Sequence, residues 1–190
     1  MRPHGQPPYE VPKEGKLPVT KIDAAIRQLE TAITLWFFDG DPVSTCTLAF
    51  AAYEIITSLN DGFKGTPTML TGRGIKEEYK ELIVSLFRAA PNFFKHAGKD
   101  PYETHFFADK GMVAVLADAV LTYNQWNVGK RPIFEVFLTW LWLSHPGFLL
   151  KKPTDAGMDG RMVEILVREG KQSFFNQALP LQTRKLAGAG

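Results

Sequence analysis

A chain of 190 residues with 45% hydrophobic and 22% charged content is long enough for one domain with a buried core. Its net charge of +2 is too small to specify a strongly basic nucleic-acid-binding face. Cys46 is the single cysteine, which excludes an intramolecular disulfide and any zinc site built on cysteines, and suits a reducing cytoplasm.

Residues 1–18 carry Pro3, Pro7, Pro8, Pro12 and Pro18 among polar neighbours and no apolar run of the kind a secretory signal needs. They are expected to form an extended or disordered arm. The first helix opens at Thr20, a capping residue answered three positions on by Asp23. Ile22, Ile26, Leu29, Ile33 and Trp36 then recur at three- and four-residue steps, one apolar stripe that ends at Asp39-Gly40. Asp41-Pro42 restarts the chain as a cap followed by proline at the first helical position. Leu48, Ala49, Ala52, Ile55, Ile56 and Leu59 supply the buried face of this second helix, and Asn60-Asp61-Gly62 stops it. The short connection predicts a helical hairpin.

Residues 61–74 read as a loop whose glycines lack the spacing of a phosphate loop. A third helix is expected from about Ile75, with Tyr79, Leu82, Ile83 and Leu86 inward, and Pro91 is expected to break or kink it. After a turn over 98–104, His105-Phe106-Phe107 reads as a short extended piece. Asp109 reads as the cap of a fourth helix reaching Trp126, with Met112, Val113, Leu116, Val120 and Tyr123 on its core face. An aromatic helix follows over 132–144, then a loop at 151–157. A last helix over about 158–178 is expected to close at Pro180, before a loose tail. The long periodic segments share the helical period, so the fold class is all-α. It is expected to be an up-down helical bundle over 19–128, with a C-terminal helical extension over 129–190 packed on the same domain.

Chemistry concentrates in one place. Were the chain helical through Pro91, Arg88, Asn92 and His96 would stand at i, i+4 and i+8, one polar stripe beside Lys95. Arg88 offers a phosphate contact and His96 a proton shuttle, the two functions needed to cleave a phosphodiester without a metal. The plainer reading is a helix junction in which Phe93 and Phe94 plug the core while Lys95 and His96 favour a helix C-terminus. Glu54 occupies the frame of a zinc-protease helix that lacks both histidines, and is expected to have a local partner instead. Asp39 and Asp41 read as capping residues. His4, His105 and His145 have no neighbouring ligands at metal spacing, so neither a metal nor another cofactor is expected.

The run from Thr20 to Glu54, the segment Pro91-Asn92-Phe93-Phe94-Lys95-His96-Ala97 and the pair Asp100-Pro101 together resemble a group of small uncharacterised bacterial all-helical proteins. That resemblance spans about residues 19–127; it implies the fold and carries no activity. A looser similarity is to HEPN domains, helical bundles that often act as RNases through an arginine, a polar residue and a histidine four to six positions further on. It implies catalytic roles for Arg88, Asn92, Lys95 and His96. Here the spacing from Arg88 to His96 is longer than that signature, and Ala89 stands where its polar residue would be.

The stretch from Ile133 to Leu150 is interrupted by Glu135, His145, Pro146 and Gly147, so no membrane span is expected. Phe134, Phe137, Leu141 and Phe148 mark one face of this region and Val136, Trp140 and Leu143 the opposite one. A helix apolar all round must be covered on more than one side, and a second subunit is one source of that cover. The sequence is therefore read as a cytoplasmic, non-enzymatic interaction module that self-associates through the helix at 132–144. The alternative is an HEPN-like metal-independent RNase or nucleic-acid-binding domain.

Overall fold

The computed structural model of the chain describes residues 15–66, 87–96, 98, 101–145 and 160–188. Helix α1 (Lys21–Phe37) begins as its sequence dictates. The Thr20 hydroxyl accepts from the Asp23 amide at 3.1 Å, and the Asp23 carboxylate accepts from the Thr20 amide at 3.0 Å. Both bonds satisfy donors that a helix start leaves without an intrahelical partner. In α2 (Pro42–Asn60) the Asp41 carboxylate accepts from the Ser44 amide at 2.7 Å, and Pro42 takes the first helical position. The four intervening residues fold the two helices into a hairpin, the most extensive helix–helix contact among the described residues.

Residues 87–95 form the described part of α3. A three-residue 3-10 turn, Asp109–Gly111, leads into α4 (Met112–Gln125), followed by α5 (Pro132–Ser144) and α6 (Gly160–Ala187). Every regular element among the described residues is helical, so the chain is an all-α bundle. One continuous core joins Leu29, Ile33 and Phe37 of α1, Phe50 and Ile56 of α2, Leu116 and Val120 of α4, Phe134 and Phe137 of α5, and Phe174 of α6. Burying each such side chain stabilises the fold by about 1.5–3 kcal/mol before the entropy cost of ordering it. The C-terminal helices α5 and α6 thus share the core of the N-terminal hairpin.

Helix α5 is covered on both faces within the single chain. Phe134, Val136, Phe137 and Leu141 are fully buried, and Trp140 is only 7% exposed. Trp36 of α1 meets Trp140 edge-on at 4.4 Å between centroids, and Phe37 meets Phe175 of α6 at 4.7 Å. α1, α4 and α6 all contact α5 and supply cover within the one chain, where the two-sided sequence pattern leaves a second subunit open as one source.

Neither the expected break at Pro91 nor the expected stop at Pro180 is found. The helix runs through Pro91 to residue 95, and the His96 amide donates to the Asn92 carbonyl at 3.1 Å to close the last turn. Pro91 is itself buried, and that burial offsets part of the cost of its missing donor. Pro180 lies inside α6, which continues to Ala187 where a loose tail is expected. Asn176, whose carbonyl the proline leaves without its helical donor, and Pro180 are both exposed residues. The real interruption of α6 is Gly170, with φ 82° and ψ 179°, a region open essentially to glycine alone. Asp109 does not cap α4 with its side chain; the 3-10 turn takes that place. The expectations for residues 1–14, for the inward face of the third helix over 75–86 and for the loop at 151–157 lie outside the described residues.

Candidate functional site

The C-terminal turns of α3 face the irregular segment 103–108, and aromatic packing fixes them together. Phe93 stacks on His105 with centroids 5.3 Å apart and planes inclined by 29°. Phe94 meets Phe107 edge-on at 5.3 Å and His105 edge-on at 6.3 Å. His105 and Phe107 are half-buried while Phe106 between them is 93% exposed. That is the in-out alternation of an extended chain, as the sequence reading of His105-Phe106-Phe107 implies.

A groove of about 400 Å³ opens between the two elements, lined by Asn92, Phe93 and His96 from α3 and its end, and by Glu103, Thr104 and His105. Beside it lies an apolar pocket of about 260 Å³, walled by Cys46 and Phe50 of α2, Phe87 and Ala90 of α3, and Phe106, Phe107 and Met112. Ala89 and His105 line both cavities, so the two adjoin. Glycine is required at the rim: a Cβ at Gly111 would sit 2.9 Å from the Phe87 ring.

Continuous helix through Pro91 makes the Arg88, Asn92, His96 spacing real, but the groove receives only part of it. Asn92 and His96 line it together. Arg88 is exposed and is not among the described lining residues. Lys95 turns to α2, where its ammonium lies 3.7 Å from the Glu54 carboxylate, a partner from another helix and not a local one. The same ammonium pulls the Cys46 thiol slightly downward, but burial dominates and pushes it up to about 11. Cys46 therefore stays a thiol at neutral pH and is a poor nucleophile.

His105 and Glu103 are the groove residues that sequence reasoning missed. His105 is nine positions from His96 with a turn between them, so no local spacing rule links them. The available signal was the alternation of 105–107 beside the Phe93-Phe94 pair, which predicts that His105 and Phe107 face the same neighbour. Two imidazoles in one groove can act as proton donor and acceptor, and Asn92 and Thr104 can orient a bound polar group. Among the described residues no three His, Cys, Asp or Glu side chains gather at metal-holding geometry. Nor is any helix among them long and apolar enough to cross a membrane. Comparison with protein-family models, with curated proteins and with solved structures returned no match.

Proposed function

We propose that the chain is an interaction module that self-associates through the segment 102–107, outside the aromatic helix. The observation that supports this is the exposure of two large aromatics, Tyr102 at 98% and Phe106 at 93%, within five residues of each other. Aromatic side chains are the commonest energetic anchors of protein interfaces, and each buries roughly 150–250 Å² when covered. A two-fold pairing of this segment brings four such rings together. The single buried thiol of Cys46 suits the reducing cytoplasm in which such a module would act. Light scattering at micromolar concentration should find more than one chain per particle. Tyr102→Ser with Phe106→Ser should return it to a monomer with little change in thermal midpoint. A wild-type protein that is monomeric under these conditions rejects the reading.

A second reading, HEPN-like metal-independent RNA cleavage, draws support from His96 and His105 lining one groove with Asn92. It lacks the phosphate contact assigned to Arg88, and Lys95 is engaged with Glu54. Cleavage of single-stranded RNA in EDTA that disappears in both His96→Ala and His105→Ala would establish it. Absence of cleavage in the wild type rejects it.

A further inference from the structure

The two adjoining cavities differ in chemistry, and the difference specifies a ligand. The apolar pocket is walled by Phe50, Phe87, Ala90, Phe107 and Met112 with the exposed Phe106 at its surface side, and the Cys46 thiol and His105 imidazole are its polar side-chain groups. A nucleobase placed there would strand its hydrogen-bonding edges against hydrocarbon, at a cost of about 1–3 kcal/mol for each polar group left without a partner. A hydrocarbon has no such cost. Apolar cavities of about 150 Å³ accommodate benzene, so a pocket of about 260 Å³ accommodates a larger apolar body. The adjoining groove, which shares Ala89 and His105 with the pocket, is polar. Asn92 and Thr104 each offer donor and acceptor, the two imidazoles add further sites, and Glu103 contributes a carboxylate.

We propose that the chain binds a small neutral amphiphile, an alcohol whose hydrocarbon lies in the Cys46–Met112 pocket and whose hydroxyl sits against His105 in the groove. The head is assigned as neutral from the lining. An anionic head accepts only and would face the Glu103 carboxylate; an ammonium donates only and, although Glu103 would attract it, would leave the Asn92 amide and Thr104 hydroxyl donors unmatched. A hydroxyl both donates and accepts, matching Asn92 and Thr104. The stack of Phe93 on His105 holds that imidazole in place before any ligand arrives, so little ordering is needed on binding. Phe106 lines this pocket and also belongs to the segment proposed to associate; the ligand reading does not rest on association, because its readout is the Met112 methyl.

The test uses the full chain labelled with ¹³C at the methionine methyls, Met112 being assigned by its loss in Met112→Leu. Titration with 1-octanol should move the Met112 methyl and the His105 ring signals together and saturably. Octanoate and octylammonium should bind about tenfold more weakly or worse. Ala89 is exposed and borders both cavities, so Ala89→Trp should block the entrance and abolish the shifts while the protein stays folded. Ala108→Trp, at another exposed lining position, serves the same purpose should Ala89→Trp fail to fold. The proposal is overturned if octanol leaves Met112 unmoved. Equal binding of all three head groups, or a folded blocking variant that responds like the wild type, overturns it as well.

Discussion

Trp126 donates its indole N–H to the side-chain oxygen of Asn60 at 2.9 Å, joining the end of α4 to the end of α2 across 66 positions of chain. Both residues are buried, and the other half of the Asn60 amide donates to the Thr66 carbonyl at 2.8 Å. Phe63 stacks on the Trp126 ring at 4.4 Å, and Gln125 accepts from the Thr66 amide at 2.8 Å. The turn after α2 is therefore held in place by the far end of α4.

Asn60→Ala leaves the indole N–H buried without an acceptor. It should cost about 1–3 kcal/mol in urea denaturation. Trp126→Phe should cost a comparable amount, and the double variant less than the sum of the two, since one shared bond is lost in each. Strict additivity would show that the bond carries no stability.

Gly65 has a steric reason to be glycine. A Cβ there would lie 1.9 Å from the Asn60 side-chain oxygen, and that oxygen is already held by Trp126. Gly65→Ala should destabilise by about 1–3 kcal/mol. In an Asn60→Ala background the same change should be nearly neutral, because the atom it collides with is gone. An equal loss in both backgrounds would point to backbone conformation instead.

Lys171 of α6 closes the C-terminus of α1. Its ammonium donates to the Trp36 carbonyl, lies 4.2 Å above the Trp36 ring and pairs with Asp39 at 2.7 Å. A cation at a helix C-terminus and over an indole face is favourable on both counts. Lys171→Met should lose about 1–2 kcal/mol. The Asp39 side chain is 77% exposed, so Asp39→Asn should change stability by less than about 0.5 kcal/mol. Reversal of that order in thermal unfolding would make the ion pair, and not the cap, the stabilising contact.

Hydrogen bonds from Thr20, first its side chain and then its amide, hold the Asp23 carboxyl below its ordinary value of 3.8. A carboxyl with a lowered folded pKa stabilises the fold above its unfolded pKa and loses that contribution as pH falls through the lowered value. Carboxyl-carbon NMR should place the Asp23 midpoint below 3.8 in the wild type. Thr20→Val, which removes the hydroxyl and keeps the shape, should raise it. A wild-type midpoint at or above 3.8 would contradict the capping geometry.

Trp140 separates folding from association. It is 7% exposed and in ring contact with Trp36, Phe37 and Phe137 inside one chain. Trp140→Asp should abolish the cooperative thermal transition, because an unpaired carboxylate would replace a core indole. A folded monomer from this variant would instead place Trp140 at a subunit boundary.

Local chemistry was the legible part of the sequence. Thr20 with Asp23, and Asp41 with Pro42, declare helix starts because every participant lies within four residues. The stripe containing Leu29 and Ile33 declares a buried face for the same reason. Pro91 and Pro180 were misjudged because the cost of a proline depends on what its ring buries and on whether water reaches the carbonyl four residues back. Both depend on tertiary surroundings. The cover of Trp140 by Trp36 and the meeting of Phe93 with His105 are likewise long-range facts. The sequence pattern shows that α5 needs cover on two sides, but not that α1 and α6 supply it.

The break at Gly170 turns the second half of α6 into a separate piece that docks onto the end of α1. Lys171 and Phe175 leave the ribosome long after Trp36 and Phe37 have done so. Until that piece arrives, the Trp36–Phe37 end lacks the cover of Lys171 and Phe175 and has only that of Phe137 and Trp140, so the last stretch of chain to be made completes the packing begun by the first helix.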